Sequence, residues 1–155
     1  MKVAFDTSVL IAGSIEGHLH HERASVWFRG AREKRFQACA ATHAFAETWA
    51  TLTAMPLHPR LPATAARRVV EELARSIRPL ELSWQDYVGA IARCSDRDVR
   101  SGALYDALHL AAAERTGASV LLTFNTKHFT RLAGSASPRI LAPPDPPALD
   151  LDAGG

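Results

Sequence analysis

Apolar residues follow two rhythms along this chain. Short unbroken apolar runs alternate with longer stretches whose apolar positions recur at helical spacing. The run at 2–5 ends in Asp6 and reads as a buried strand. Thr7 and Ser8 are helix-starting residues, and Val9-Leu10-Ile11-Ala12 makes a short helical turn closed by Gly13. Residues 19–34 place Leu19, Ala24, Val26-Trp27-Phe28 and Ala31 among Arg and Glu, an amphipathic helix. Phe36 to Ala40 is a second run of strand length. Thr42 is placed to cap a helix over 43–54, which stops before Pro56. Three prolines make 55–62 a loop. A helix over 63–77 follows, ended by Pro79, and then a brief extended piece at 80–82. Ser83 caps a helix running to about residue 94. The polar stretch 95–102 reads as a loop, and a helix over 103–116 stops at Gly117. Residues 119–123 form the third clear strand, 127–132 a last short helix, and 139–141 an edge strand.

Alternating strands and helices predict an α/β fold with a mainly parallel central sheet of four to five strands. No internal repeat or linker divides the chain. A single domain is expected over 1–142, with a Pro/Asp-rich tail at 143–155 that cannot pack.

Composition narrows the class. The chain has 155 residues, 47% hydrophobic and 22% charged, which fits one globular domain and excludes general disorder. It holds no apolar run long enough for a transmembrane helix, and Met1-Lys2-Val3-Ala4-Phe5-Asp6 meets a carboxylate too early for a signal peptide. A cytoplasmic protein without a membrane partner is expected. Cys39 and Cys94 are too few for a disulfide framework or a four-cysteine zinc site, and their apolar neighbours suit buried free thiols. The net charge of +2 hides an asymmetry. Asp145, Asp150 and Asp152 lie in 143–155 without a base, so residues 1–142 carry +5. Arginine supplies 15 of the 18 basic residues, and its planar fork suits phosphate. An anionic partner follows, either nucleic acid or an acidic protein.

The chemistry sits where the elements end. In a parallel α/β sheet, ligands bind beyond the carboxyl ends of the strands. Asp6 directly follows the first strand, and Asn125 lies just past the strand at 119–123. Glu47 and Asp106 lie inside helices with apolar neighbours, where an ionised carboxylate is costly unless paired or metal-bound. Each has a structural explanation when taken singly. Asp106 in a first helical turn favours the helix dipole, and Glu47 lies i, i+4 from His43. Together they are three acids and an amide near one sheet edge. Two such charges 4 Å apart cost about 4 kcal/mol at an effective dielectric of ~20, so the cluster needs protons or a cation. Oxygen-only ligands suit Mg²⁺ or Mn²⁺ rather than zinc. A divalent ion held by carboxylates beside an Arg-rich surface is the arrangement for phosphodiester hydrolysis.

Four segments, Phe5-Asp6-Thr7-Ser8-Val9-Leu10, Ala46-Glu47, Tyr105-Asp106-Ala107-Leu108-His109 and Leu122-Thr123-Phe124-Asn125-Thr126-Lys127-His128-Phe129, resemble in order and spacing the motifs of the PIN-domain ribonucleases. The likeness extends over about residues 1–142, and within that superfamily the chain is most similar to the VapC toxins of toxin–antitoxin pairs. The resemblance implies a compact α/β/α sandwich and a metal-dependent endoribonuclease. Asp6, Glu47 and Asp106 would be the acidic metal ligands, and Thr7 or Ser8 and Thr123 would support them. Asn125 falls where many members have a fourth acid; an amide can orient water or bind metal through its carbonyl oxygen but adds no charge. One well-held ion is therefore expected, with any second recruited by the RNA phosphate. The family also implies a homodimer, an antitoxin whose C-terminal segment blocks the groove, and structured RNA substrates such as tRNA or ribosomal RNA.

Other residues have weaker claims. His109, one turn beyond Asp106, could hydrogen-bond it, meet substrate, or be a satisfied core histidine; His43 could orient Glu47. The cluster His18, His20, His21 and Glu22 reads as a solvated helix start touching RNA or antitoxin. Trp27, Trp49 and Trp84 read as core or dimer interface. Arg67, Arg68, Arg97 and Arg100 are candidate phosphate contacts. Two rival functions remain, a non-catalytic RNA- or protein-binding module and a housekeeping RNA-processing nuclease.

Overall fold

The computed structural model of the chain describes residues 1–144. The strands are β1 (Lys2–Phe5), β2 (Gln37–Ala41), β3 (Arg78–Leu80), β4 (Val120–Leu122) and β5 (Arg139–Leu141). The helices are α1 (Thr7–Ser14), α2 (His21–Arg32), α3 (Thr42–Ala54), α4 (Ala63–Ser76), α5 (Trp84–Asp96), α6 (Ala103–Thr116) and α7 (Thr126–Leu132). The strands form one sheet in the order β3-β2-β1-β4-β5, and every neighbouring pair is parallel.

Strand alternation divides the apolar residues between two cores. Val3 and Phe5 of β1, Ala38 and Ala40 of β2, and Val120 and Leu122 of β4 pack on one face with residues of α1 to α4. Ala4, Cys39, Ala41 and Leu121 pack on the other face with α5, α6 and α7. The result is an α/β/α sandwich, wholly rather than mainly parallel. Cys39 and Cys94 are buried free thiols, and burial raises both above the usual thiol range. Among the described residues no helix is long and apolar enough to cross a membrane.

The strand order fixes where a site can form. From β1 the chain steps to β2 and β3, then crosses back to β4 and β5 on the other side of β1. The carboxyl ends of β1 and β4 therefore flank the topological switch point, where open α/β sheets leave a crevice.

Several expectations need correction. Pro79 does not merely end a helix. It lies within β3, where an edge strand with a single neighbour tolerates a residue that cannot donate. The extended piece thus lies at 78–80, not 80–82. Thr42 does not cap α3: it is the first helical residue, and its hydroxyl donates to the Leu80 carbonyl at 2.8 Å, tying the ends of β2 and β3 together. Helix α2 begins at His21 rather than 19, and Leu19 is exposed. Of the three tryptophans read as core or dimer interface, Trp27 joins the core, and Trp49 and Trp84, 41% and 70% exposed on the single chain, keep only the interface reading. Ser83 does cap α5, in a reciprocal box with Asp86, and Gly117 does close α6, with φ of 66°. The chain remains packed through Pro143, which is buried and accepts a hydrogen bond from Arg23 Nε at 2.6 Å. The rest of the expected tail, from residue 145, lies outside the described residues.

Gly13 shows how closely α1 and α2 approach. A Cβ at this position would lie 2.3–2.8 Å from three atoms of the Phe28 ring, which is itself held in the core. Gly13→Ala should gain about 1 kcal/mol in helix propensity but lose roughly 1–3 kcal/mol to overpacking. The expected outcome is a lower melting temperature, restored by the double change Gly13→Ala/Phe28→Leu. Thermal denaturation of the three variants checks this, and an unchanged melting temperature in the single variant would contradict it.

Candidate active site

Asp6 is the N-cap of α1 and is 2% exposed. A carboxylate so placed must be hydrogen-bonded. Its Oδ2 accepts from the Ser8 hydroxyl at 2.6 Å, the Ser8 N–H at 3.4 Å and the Thr123 hydroxyl at 2.8 Å. Each hydroxyl in turn accepts from a backbone N–H beyond β4: Ser8 from Phe124 at 3.0 Å, Thr123 from Asn125 at 2.9 Å. The end of β1 is thereby stitched to the end of β4.

Glu47 reaches the same point from α3. Its Oε2 accepts from the Thr7 hydroxyl at 2.5 Å. His109 Nε2 lies 3.3 Å from Glu47 Oε2, 3.4 Å from Asp6 Oδ1 and 3.1 Å from Thr7 Oγ1. Of the roles open to His109 from sequence, the bond to Asp106 is not made, and the residue is a buried, hydrogen-bonded histidine. Residues three apart on α6 share a side of the helix, but His109 is 2% exposed and turned toward β1 and α3. Asp106 is half-buried, and its Oδ2 lies 3.5 Å from Nδ1 of the exposed His128.

Asp6, Glu47, Tyr105, Asp106, His109 and Asn125 line one open cleft of about 450 Å³ at the switch point. Beside it is a hollow of about 630 Å³ that shares Gly102, Asp106 and Asn125 and adds Arg100, His128 and Arg131. Asn125 is exposed on both walls and starts α7 without a side-chain capping bond. The structure thus brings all eight sequence-singled residues to one place: Asp6, Thr7, Ser8, Glu47, Asp106, His109, Thr123 and Asn125. Of the suggested phosphate contacts, Arg100 borders the adjoining hollow. Arg67 pairs with Glu71, Arg68 lines a separate groove by α4, and Arg97 donates to the Ala133 carbonyl.

The histidines differ from expectation. His43 does not orient Glu47 by a hydrogen bond: both of its ring nitrogens are buried without a partner, and its ring packs on His109 with centroids 4.3 Å apart. The His18–His21 stretch is not simply solvated. His20 stacks on Phe124 at 4.3 Å, and His21 Nδ1 lies 3.1 Å from the Ala12 carbonyl. Tyr105 at the cleft and His128 in the adjoining hollow lie within the motif segments but were given no role by sequence. Their signal was proximity, one residue before Asp106 and three after Asn125.

Charge within the cluster is unevenly held. Burial and the neighbouring Asp6 charge push Asp106 above the usual carboxylate range. Burial alone would raise Glu47, but hydrogen bonds from His109 and Thr7 outweigh it and hold Glu47 below its usual value. Burial would lower His109, yet its bond to Glu47 and the charges of Asp6, Glu47 and Asp106 raise it above 6.5. Burial and the nearby His109 lower His43 to about 4.

His109 therefore binds a proton more readily in the fold than in the unfolded chain. The stability it contributes is fully present below pH 6.5 and is lost as pH rises through its elevated value. In EDTA-treated protein, NMR titration should show His109 charging above pH 6.5 and His43 remaining neutral down to about pH 4. Glu47→Gln should lower the His109 midpoint. A His109 midpoint at or below 6.5 in the unsubstituted protein would contradict this account.

Comparison with known proteins agrees with the geometry. The PIN domain family matches residues 3–135. Ribonuclease VapC40 of Mycobacterium tuberculosis is 33% identical over 119 residues, spanning 77% of this chain and 84% of that protein. The crystal structure of M. tuberculosis VapC20, described as a Sarcin-Ricin loop cleaving toxin, superposes with a TM-score of 0.66 at 20% identity, covering 88% of this chain and 99% of that one. The structure of VapBC2 from Rickettsia felis, bound to a DNA fragment from its promoter, gives 0.66 at 13% identity, covering 92% and 98%. The chain belongs to the PIN-domain family and, within it, to the VapC ribonucleases.

Proposed function

We propose that this protein is a divalent-metal-dependent endoribonuclease and the toxin of a toxin–antitoxin pair. The observation that carries the reading is the convergence of Asp6, Glu47 and Asp106, from three separated segments, on one open cleft at the switch point. Membership of the VapC ribonucleases supplies the reaction class.

The residues present fit a hard cation. Asp6, Glu47 and Asp106 offer carboxylate oxygens, and Asp106 is raised by burial and by the Asp6 charge, both of which a bound cation would offset. Mg²⁺ or Mn²⁺ held there would supply Lewis acidity and charge neutralisation for hydrolysis of an RNA phosphodiester. The chain's own groups do the positioning. Ser8 and Thr123 fix Oδ2 of Asp6, while Thr7 and His109 fix Glu47. Asn125, a neutral amide on the rim, orients water or substrate. Arg100 and Arg131 in the adjoining hollow receive flanking phosphates, and the exposed Tyr105 offers a face on which an unpaired base can stack. No side chain in the cleft is an obvious nucleophile, which suits attack by water.

Residues 1–142 form the nuclease domain in this reading, which works in the cytoplasm as a homodimer. A structured RNA of the tRNA or ribosomal class is the proposed substrate, in keeping with the likeness to VapC20, a Sarcin-Ricin loop cleaving toxin. Likeness to the VapBC assembly of R. felis supports an antitoxin partner.

Purified protein should cut total RNA into discrete fragments with Mn²⁺ or Mg²⁺ and leave it intact with EDTA. Asp6→Asn and Asp106→Asn should abolish cleavage, and Thr123→Ala, which frees Asp6 from one of its supports, should slow it by about 10–100-fold. Folded protein that binds metal yet cuts nothing would shift the reading to a binding module.

Asp106→Asn also tests the electrostatics. The wild-type fold favours protonated Asp106, so its stability falls as pH rises above about 3.8, the ordinary value. In EDTA the variant should melt higher at pH 7, by roughly 2–4 °C if about 1 kcal/mol of repulsion is relieved. The advantage should shrink as pH falls below the carboxylate range. A variant that unfolds would return Asp106 to a structural role.

A further inference from the structure

We infer that His43, Glu47 and His109 form a binding site for a borderline-soft transition metal, of which Zn²⁺ is the type, overlapping the oxygen-ligand cluster through Glu47. One ligand atom from each residue lies within 4.8 Å of the other two. His43 and Glu47 are one turn apart on α3, so both face α6, which contributes His109. The two imidazole rings lie 4.3 Å apart, tilted by 42°.

The unsatisfied ring of His43 favours an ion here. Neither ring nitrogen of His43 makes a close hydrogen bond, so one of them is free to turn to an ion, and His109 meets the same ion through Nε2, the nitrogen already 3.3 Å from Glu47. Buried polar atoms are normally satisfied, and an unsatisfied imidazole nitrogen beside two further ligand atoms marks a place where an ion or water belongs. The donor set then selects the ion. Two imidazoles and one carboxylate suit Zn²⁺, whereas Mg²⁺ takes oxygen ligands at near-ideal octahedral geometry. Zinc ligands at about 2.0–2.1 Å place tetrahedral donors roughly 3.4 Å apart, so the present spacing closes with side-chain movements on the order of 1 Å. Glu47 is 31% exposed into the cleft, which gives the ion an entrance and a fourth position open to water.

Occupation has a consequence for the neighbouring acids. Glu47 cannot serve both ions, and His109 Nε2 already stands 3.4 Å from Asp6 Oδ1. A zinc ion seated on the histidines withdraws Glu47 from Asp6 and Asp106 and places a second positive charge beside the hard-cation position. Zn²⁺ is thus an antagonist of Mg²⁺ in this cleft. The binding part stands by itself; the antagonism rests on the nuclease reading.

Metal-stripped full-length protein is titrated with Zn²⁺ by calorimetry, and separately with Co²⁺, whose visible absorption reports imidazole ligation. One tight Zn²⁺ per chain is expected. His43→Ala and His43→Gln, each checked for folding by circular dichroism, should weaken it by at least ~100-fold. Asp106→Asn and the triple change His18→Ala/His20→Ala/His21→Ala should leave it intact. Zinc affinity indifferent to His43, or lost with Asp106 or with the His18–His21 cluster, overturns the site. For the antagonism, Zn²⁺ at the titrated affinity should suppress Mg²⁺-driven RNA cleavage, and this suppression should be lost in His43→Gln. Cleavage insensitive to bound zinc overturns the antagonism. Absence of cleavage under any metal, with zinc still bound through His43, overturns the nuclease reading and supports the binding site.

Discussion

The rest of the site depends on satisfying one carboxylate where water barely reaches. Asp6 is buried at the end of the central strand β1. An unsatisfied charge there would cost several kcal/mol. The fold meets that cost with two hydroxyls and one backbone N–H on a single oxygen. Because those hydroxyls also accept from the N–H groups of Phe124 and Asn125, satisfying Asp6 fixes the backbone beyond β4. The requirement of one charge thus places Asn125 on the cleft rim and starts α7. The second oxygen of Asp6 lies on the side of His109, and Glu47 meets the same imidazole.

The two helical layers contribute unequally. Glu47 comes from α3, whose Ala44 and Phe45 pack on one face of the sheet. Asp106 and His109 come from α6, whose Ala107, Leu108 and Leu110 pack on the other. The acids therefore meet over the edge of the sheet, and neither layer can assemble the cluster alone. This explains why α6 is apolar nearly all round. It is buried against β2, β4, α5 and α7, and its few polar residues in the first two turns face the cleft. The bidentate pair of Arg93 with Glu114 holds α5 against α6 at the far end, well away from the acids.

The alternation of apolar runs and helical spacings made the fold legible, because the runs of β1, β2 and β4 are buried on both faces and the helices α5 and α6 carry clear end signals in the capping Ser83 and the terminating Gly117. What misled was chemistry that serves a distant partner. Thr42 has the right type and place for a cap, but its hydroxyl is taken by Leu80, 38 residues away. Pro79 reads as a breaker until the sheet order shows β3 to be an edge. In the site, residue types and order marked where the acids would gather, since a carboxylate among apolar neighbours is locally inconsistent. Which histidine meets which acid was not legible. His109 is one turn from Asp106 and i, i+4 pairing would join His43 to Glu47, yet tertiary packing turns His109 to Glu47 and Asp6 and leaves the His43 ring packed at a tilt against His109.

The balance of charge explains why such a cluster can exist in a small domain. Three carboxylates and no cation would repel strongly, and Asp106, raised first by its burial, is raised further by the Asp6 charge. The single imidazole of His109 offsets part of it by standing within 3.4 Å of two of the acids. Asn125 limits the remainder, because an amide at the rim supplies a polar group without a fourth charge. The fold is thereby left short of neutrality by an amount that a bound cation would complete. A site made fully neutral by its own side chains would be more stable and would have no reason to bind one.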